Sequence, residues 1–368
     1  MNKILSVREA SPIISCFCIT GEPVTVIKYG NGHIHDTYVV QTMADNTSKR
    51  YILQRINDYV FKDVDGLMEN IERVTAHVIK KTKDNNGNVE KNCLRLVPTK
   101  TGSSYLLYEG NYYRMYHFIE GATTYSVVKK PEHFYQAAIG FANFQKMLDG
   151  FDATKLHEAI KDFHNTVARY EQFEDALSRD EHDRAKLIPD EIAFIKERKH
   201  YCSRIVDMLK SGEIPTRVTH NDTKLNNVMI DDLTDKACAV IDLDTLMPGS
   251  LLYDFGDAIR FGCNPTSEDE SKLDKVVFNI DLFELFAKGF VGVLSDTLTQ
   301  TERDNLAFSA ILITFETAIR FVTDYLNGDV YFNTHYEGQN LRRAHTQMKL
   351  VTDMEELLPR MQEIISRI

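Results

Sequence analysis

The apolar positions of the chain change their period partway along. In roughly the first third they alternate in short runs, the pattern of half-buried strands. Residues 24–28 and 37–42 are rich in β-branched and aromatic side chains and flank Tyr29-Gly30-Asn31-Gly32-His33-Ile34-His35-Asp36, which predicts a strand, a glycine-bearing turn and a second strand. A third run, residues 50–56, places Tyr51, Leu53 and Arg55 on one face and Ile52, Gln54 and Ile56 on the other. Over residues 64–80 the period lengthens, with Leu67, Ile71, Val74 and Val78 on one helical face. Further strands are predicted near 93–98, 105–108 and 112–118. The result is a small antiparallel sheet of five or six strands interrupted by one helix.

Beyond residue 121 the pattern is helical, with amphipathic stretches over 132–148, 165–179, 189–211, 281–294 and 302–327. The fold class expected is therefore α+β with two unlike lobes. An antiparallel-sheet lobe occupies residues 1–116 and a larger, mainly helical lobe residues 117–368, with the crossover near 117–121 as hinge. A chain of 368 residues exceeds the usual single core, which agrees with that division. Two unlike lobes leave a cleft between them, where a nucleotide can bind.

Charge and cysteine content narrow the partners. The chain carries 43 basic and 54 acidic residues, a formal net charge of −11, which argues against a general nucleic-acid surface. Cysteines at 16, 18, 93, 202, 238 and 263 lack zinc-ligand spacing and are expected as free thiols. The apolar stretch 12–19 is too short to cross a bilayer, and no other run of about 18 apolar residues is apparent. The expectation is a cytoplasmic protein whose partners are small molecules, with no nucleic acid, no membrane and no obligate protein partner.

The chemistry concentrates in His220-Asn221-Asp222-Thr223-Lys224-Leu225-Asn226-Asn227 and, fifteen residues after Asn227, in Val240-Ile241-Asp242-Leu243-Asp244. A carboxylate can accept the proton of an alcohol, while an asparagine and a second acid at a strand end can hold Mg²⁺ against the phosphates of ATP. Taken alone, a His-x-Asp in a polar loop or an Asp ending a buried strand has an ordinary structural explanation. The combination, in this order and preceded by a glycine-bearing turn, points to phosphoryl transfer.

These residues, over nearly the whole length of the chain, resemble the aminoglycoside phosphotransferase and choline kinase superfamily, which has a protein-kinase-like fold. The longer strings 30–38, 51–57, 67–71 and 220–227 resemble more closely its N-acetylhexosamine 1-kinases. The resemblance implies transfer of the γ-phosphoryl group of ATP to the C1 hydroxyl of N-acetylglucosamine or N-acetylgalactosamine, with Mg²⁺. Asp222 would be the base, and Asn227 and Asp242 would hold the metal, a hard cation suited to oxygen ligands. Asp244, read as lying on the same strand face as Asp242, would contact metal or substrate or else tether the loop. Gly30 and Gly32 would let backbone amides approach phosphate, with Thr37 adding a hydroxyl and His33 reaching phosphate or sugar. His220 is read as organising the loop. Asp254 or Asp257 would brace the loop from within Asp254-Phe255-Gly256-Asp257, whose Asp-Phe-Gly triplet lies too far from Asn227 to be the metal-binding one.

The chain departs from the wider kinase pattern in its third strand, where the usual lysine is absent. Gln54 or Arg55 stands in its place, and its helix partner would be Glu69 or Glu72. The resemblance also implies that Arg320 and Tyr331 contact the sugar. Against this, Glu316 and Asp324 flank Arg320 at helical spacing and could form a plain charge ladder with it. Two other functions share the scaffold: a kinase of another small alcohol, such as an aminoglycoside, choline or homoserine, and a non-catalytic binding protein. Aminoglycosides and choline are cations that favour acidic or aromatic cages, so an arginine in the pocket weighs against them.

Overall fold

The protein is described by a computed structural model covering residues 5–30, 34–128 and 130–368. The chain opens with helix α1 (Val7–Ile14), whose Ser6 and Glu9 form a reciprocal capping box. Strands β1 (Glu22–Lys28), β2 (Asp36–Ala44) and β3 (Thr47–Arg55) follow, then helix α2 (Val64–Asp84), the short α3 (Val89–Asn92), and strands β4 (Leu106–Tyr108) and β5 (Asn111–His117). The five strands form one antiparallel sheet in the order β1-β2-β3-β5-β4. Residues 93–98, expected as a strand, contribute only an isolated bridge from Leu96 to Tyr116.

The sheet has two different faces. Tyr38, Val40, Tyr51, Leu53, Tyr113 and Met115 pack with Ala10, Ile13 and Ile14 of α1 in a separate small core. On the opposite face Ile56 and Tyr116 join the large core, with α2 supplying Leu67, Met68, Ile71 and Val74. Strand alternation therefore decides which side chains can face the second lobe.

After His117 the chain crosses into the larger lobe. Its elements are β6 (Ala122–Thr123), α4 (Pro131–Met147), α5 (Thr166–Arg179), α6 (Pro189–Glu197), α7 (Arg204–Ser211), β7 (Arg217–Thr219), β8 (Val228–Asp231), β9 (Ala237–Val240), β10 (Met247–Gly249), α8 (Leu251–Gly262), α9 (Ile280–Leu294), α10 (Gln300–Leu326) and α11 (Gln339–Arg367). The stretch 189–211, expected as one helix, is two, separated by a 3₁₀ turn at Lys199–Tyr201. Helix α10 is long and apolar enough to span a membrane, yet its most apolar window is 89% buried among protein neighbours. A helix that apolar all round belongs in the centre of a core, and α10 packs against α11, α8 and α5.

Glycine allows the closest of these approaches. A Cβ on Gly256 would lie 2.5 Å from the Ser309 carbonyl oxygen of α10. The triplet Asp254-Phe255-Gly256 is thus helix interior, not a metal-binding loop, as its sequence position suggested. Small two- and three-stranded sheets, β7 with β10 and β6-β8-β9, carry the loops of the candidate site.

Candidate active site

Residues 220–227 leave β7 and enter β8 through a 3₁₀ turn at Leu225–Asn227. Asn221 takes a left-handed backbone conformation, φ +63°, a state asparagine tolerates better than most residues. The buried carboxylate of Asp254 on α8 holds this bend: it accepts from the His220 amide at 3.0 Å, the Asn221 amide at 2.8 Å and the Gln145 side chain at 2.7 Å. Burial pushes the Asp254 carboxyl above the usual carboxylate range, against these donors. Asp257, one turn on, accepts from the Thr223 amide at 2.9 Å and pairs with Arg260. Both acids brace the loop, in the manner expected.

His220 is fully buried and bridges two segments. Its Nε2 lies 2.9 Å from the Ile241 carbonyl and its Nδ1 3.3 Å from the Asp222 amide nitrogen. A carbonyl can only accept and an amide N–H can only donate, so the ring is protonated at Nε2 and bare at Nδ1. That arrangement organises the loop, as the sequence reading expected.

Asp222 stands on the bend with both carboxylate oxygens engaged. The Asn227 side-chain amide donates to Oδ2 at 3.0 Å and to the Asp222 backbone carbonyl at 2.8 Å, while Lys224 Nζ lies 2.9 Å from Oδ1. Because Asn227 spends its nitrogen on Asp222, its carbonyl oxygen is the atom available to a cation.

Asp242 is brought to this site by its neighbour, since the Ile241 amide donates to the Asn227 backbone carbonyl at 2.9 Å. The expected arrangement needs correcting here. Strand β9 ends at Val240, Asp242 adopts φ +61°, and Asp244 lies in a 3₁₀ turn at Leu243–Thr245, so the two acids do not share a strand face. Desolvation by the surrounding protein pushes the Asp242 carboxyl up, and the Asp244 and Asp222 carboxylates add to the effect. The residue is nonetheless open to solvent, and an accessible acid beside an amide oxygen is a donor set suited to Mg²⁺, which Asn227 with Asp242 would hold.

Asp244 is instead committed to the first lobe. Arg114 on β5 grips both its oxygens, with 2.6 Å between Nη2 and Oδ2, and His35 Nε2 lies 2.9 Å away. Burial opposes the charge, but Arg114 and His35 hold the Asp244 carboxyl well below the usual range. The tether expected was to the 220–227 loop; the one found is to the sheet lobe, and with both oxygens engaged there Asp244 is not offered to a substrate. His35 is kept in place by the Asn57 amide on Nδ1 at 3.0 Å and by stacking on Phe61.

The third-strand ambiguity is resolved by alternation. Arg55 lies opposite Asp36 and pairs with it, on the face of Tyr38 and Tyr113 that packs against α1. Its expected role at phosphate is therefore overturned. Gln54 is on the other face, donating to Thr37 Oγ1 at 3.0 Å and accepting from Arg114 Nε at 2.9 Å. Neither helix acid completes a strand-to-helix ion pair: Glu69 pairs with Arg73 and His157, and Glu72 is exposed. Gly30 has φ +75°, which a glycine adopts without strain. Gly32 and His33 lie outside the described residues.

Arg320 on α10 makes no charge ladder. Glu316 is buried and accepts from His164 at 2.9 Å and Thr166 at 2.7 Å, and Asp324 accepts the amides of Val330, Tyr331 and Phe332. The Arg320 guanidinium instead lies 5.2–5.9 Å from the ring centroids of Phe163, Phe332 and Tyr331. Tyr331 is exposed. The Glu316 partner His164 packs on Tyr253, next to the loop-bracing Asp254, which links this corner to the 220–227 loop.

Three residues of this site were not singled out from sequence. Arg114 was readable as the lone cation in the strand Tyr112-Tyr113-Arg114-Met115-Tyr116, and Lys224 by its place two residues after Asp222. For His35 the sequence holds no signal beyond its place in the turn.

Comparison with known proteins matches the family and the fold. A sequence model described as the phosphotransferase enzyme family matches residues 25–273. Among solved structures, a microcompartment-associated aminopropanol kinase is similar with a TM-score of 0.61 and 13% identity, over 97% of this chain and 98% of that one. A spectinomycin phosphotransferase in complex with ADP and spectinomycin gives 0.57 and 12%, over 98% and 100%. A Plasmodium vivax ethanolamine kinase gives 0.54 and 14%, over 92% and 83%.

Proposed function

The chain belongs to the phosphotransferase enzyme family, and from that premise we propose that it is an ATP-dependent kinase of N-acetylhexosamines, forming the sugar 1-phosphate. Asp222 accepts the proton of the C1 hydroxyl as its oxygen attacks the γ-phosphorus. The bond from phosphorus to the β,γ-bridging oxygen breaks and its electron pair leaves with ADP. Mg²⁺, when held by Asn227 and Asp242, supplies charge neutralisation of the phosphates.

The observation that carries the acceptor class is Arg320. Among the described residues no carboxylate lies within ion-pairing distance of it, although its charge helps hold the Glu316 carboxyl below the usual range, and three aromatic rings wall it. A guanidinium there repels an ammonium-bearing acceptor and donates readily to neutral hydroxyl and acetamido oxygens. Arg169, close enough for its pKa to be lowered by burial and then by Arg320, strengthens the local positive field. Tyr331, exposed beside Arg320, would add a ring for the sugar face.

The test is an ADP-release assay with Mg²⁺-ATP against N-acetylglucosamine, N-acetylgalactosamine, ethanolamine, choline and kanamycin, with phosphorus NMR of the product. Turnover of the hexosamines alone, giving an anomeric phosphate, is expected. Turnover confined to the amines would sink the sugar reading and leave the kinase chemistry in place.

A further inference from the structure

Two of the rings that wall Arg320, Tyr331 and Phe332, lie in the irregular segment 328–338 between α10 and α11. Val330 is 77% exposed and Tyr331 63%. A ring that exposed has few neighbours to hold it. Its place beside the guanidinium, 5.9 Å from the ring centroid, is therefore set by the backbone that carries it.

That backbone converges on one carboxylate. Asp324 stands one helical turn after Arg320 on α10 and is buried, at 4% exposure. Its Oδ1 accepts the amides of Val330 at 3.0 Å and Tyr331 at 2.8 Å, and its Oδ2 accepts the Phe332 amide at 3.0 Å and the Asn340 side chain at 2.8 Å. Three consecutive amides can turn toward one group only if the chain reverses as it leaves the helix. Gly328, φ +90°, and Asp329, φ +62°, supply two left-handed residues for that reversal, and Asp329 is itself held by Arg184 at 2.6 Å and Asn340 at 2.9 Å.

Among the described residues no cationic side chain lies within ion-pairing distance of Asp324, so its charge is met by N–H donors. An apolar side chain could end α10 equally well. What the carboxylate adds is a fixed direction for residues 330–332, and through them for two walls of the Arg320 corner.

We propose that Asp324 is a positioning residue for the acceptor: by gripping the amides of residues 330–332 it keeps the Tyr331 and Phe332 rings beside Arg320 before any acceptor arrives. The acceptor then meets a wall already formed and does not have to order one. The inference rests on the reading of Arg320 and Tyr331 as the acceptor subsite.

Deuterium exchange of the wild-type protein without acceptor tests the grip directly. Residues 330 and 331 are exposed, so slow exchange of their amides has to come from the Asp324 carboxylate. Exchange at least about tenfold slower than in an unstructured chain is expected, little changed by added N-acetylglucosamine. Open-chain exchange, or protection that appears only with the sugar, would overturn the proposal whether or not any variant folds.

Steady-state rates with N-acetylglucosamine then separate positioning from support of the fold. In Asp324→Asn one oxygen becomes an NH₂ group that meets N–H donors whichever way the amide is turned. If the wall is then formed about a tenth of the time, the acceptor KM rises about tenfold, with kcat and the KM for ATP unchanged. Tyr331→Ala should raise the acceptor KM as well. Because Asp324 acts through that ring, the double variant should show clearly less than the product of the two single effects. Fully multiplied effects, a lowered melting temperature with the acceptor KM unchanged, or equal rises for acceptor and ATP would reduce Asp324 to a support of the fold and overturn the role. If Tyr331→Ala leaves the acceptor KM unchanged, or the wild type turns over no hexosamine, the subsite reading fails and the role falls with it. If Asp324→Asn alone leaves it unchanged, the subsite stands and only the role is lost.

Discussion

Arg114 and Asp244 lie 130 residues apart in sequence and form a two-oxygen ion pair across the lobes, both side chains almost fully buried. Protein kinases join a third-strand lysine to a helix glutamate within one lobe. Here the strand carries Gln54, α2 presents Met68 near the guanidinium, and the cation reaches into the other lobe beside Asp242. Helix α2 is in turn fastened to the larger lobe, because the Asn70 amide donates to the carbonyls of His157 and Leu246. The tie that sets the Asp242 turn against the sheet is therefore an inter-lobe one.

Removing one member of that pair strands the other. Arg114→Met should destabilise the fold by roughly 3–5 kcal/mol, since Asp244 stays buried with only His35 to neutralise it. In the double variant with Asp244→Leu, most of that loss should return, because no charge is left uncompensated. Urea unfolding of both variants measures the cycle, and equal destabilisation in single and double variants would refute a buried ion pair.

His117 closes β5 at the crossover and gives a pH signature. Burial, reinforced by Arg95 and Lys49, lowers its pKa to about 4. The unfolded chain, with an ordinary histidine near 6.5, binds the proton more readily, so stability is lost as pH falls below about 6.5 and the loss is complete below the folded value. Solvent screening of the half-buried ring reduces the effect to about 1 kcal/mol. In His117→Gln the difference from wild type between neutral pH and pH 4 should shrink by that amount in thermal melts; an unchanged acid slope would contradict it.

Local spacing was legible in the sequence, and long-range pairing was not. The loop from His220 to Asn227 and the Asp242 turn could be found because their chemistry needs fixed short separations. Alternation in residues 50–56 correctly divided Gln54 from Arg55, yet which face met the second lobe depended on α1, a short helix with Pro12 inside it that its sequence hid. Asp242 and Asp244 share a face only if strand geometry continues past Val240, where a left-handed residue instead turns the chain. Helix α11 escaped notice because it is polar over much of its length and contains Pro359. Arg114 could be noticed as odd in its strand, but nothing short of the fold pairs it with Asp244.

Asp222→Asn tests the base without changing its size. The amide cannot accept the hydroxyl proton, so kcat should fall about 10²–10⁴-fold. Nucleotide affinity should hold, since Asn227, Asp242 and the sheet face of Gln54 are untouched. Rates and ADP titration together check this; a variant retaining more than about a tenth of wild-type turnover would exclude Asp222 as the base.

An Arg320→Gln variant is expected to separate acceptor recognition from phosphoryl transfer. Its neighbours Glu316 and Asp324 have their own partners, so Arg320→Gln leaves no buried carboxylate bare and should unfold close to the wild-type temperature. A hydrogen bond from a charged donor to a neutral acceptor contributes about 1.5–3 kcal/mol, which corresponds to a rise of about ten- to hundredfold in KM for the sugar. KM for ATP should not move, because Arg320 lies on α10 behind Phe163 and not on the sheet face or the crossover. A parallel rise in both constants would mean that the residue supports the catalytic loop through Glu316 and His164. An unchanged acceptor KM would place the sugar elsewhere and return the acceptor class to the amine-bearing alcohols.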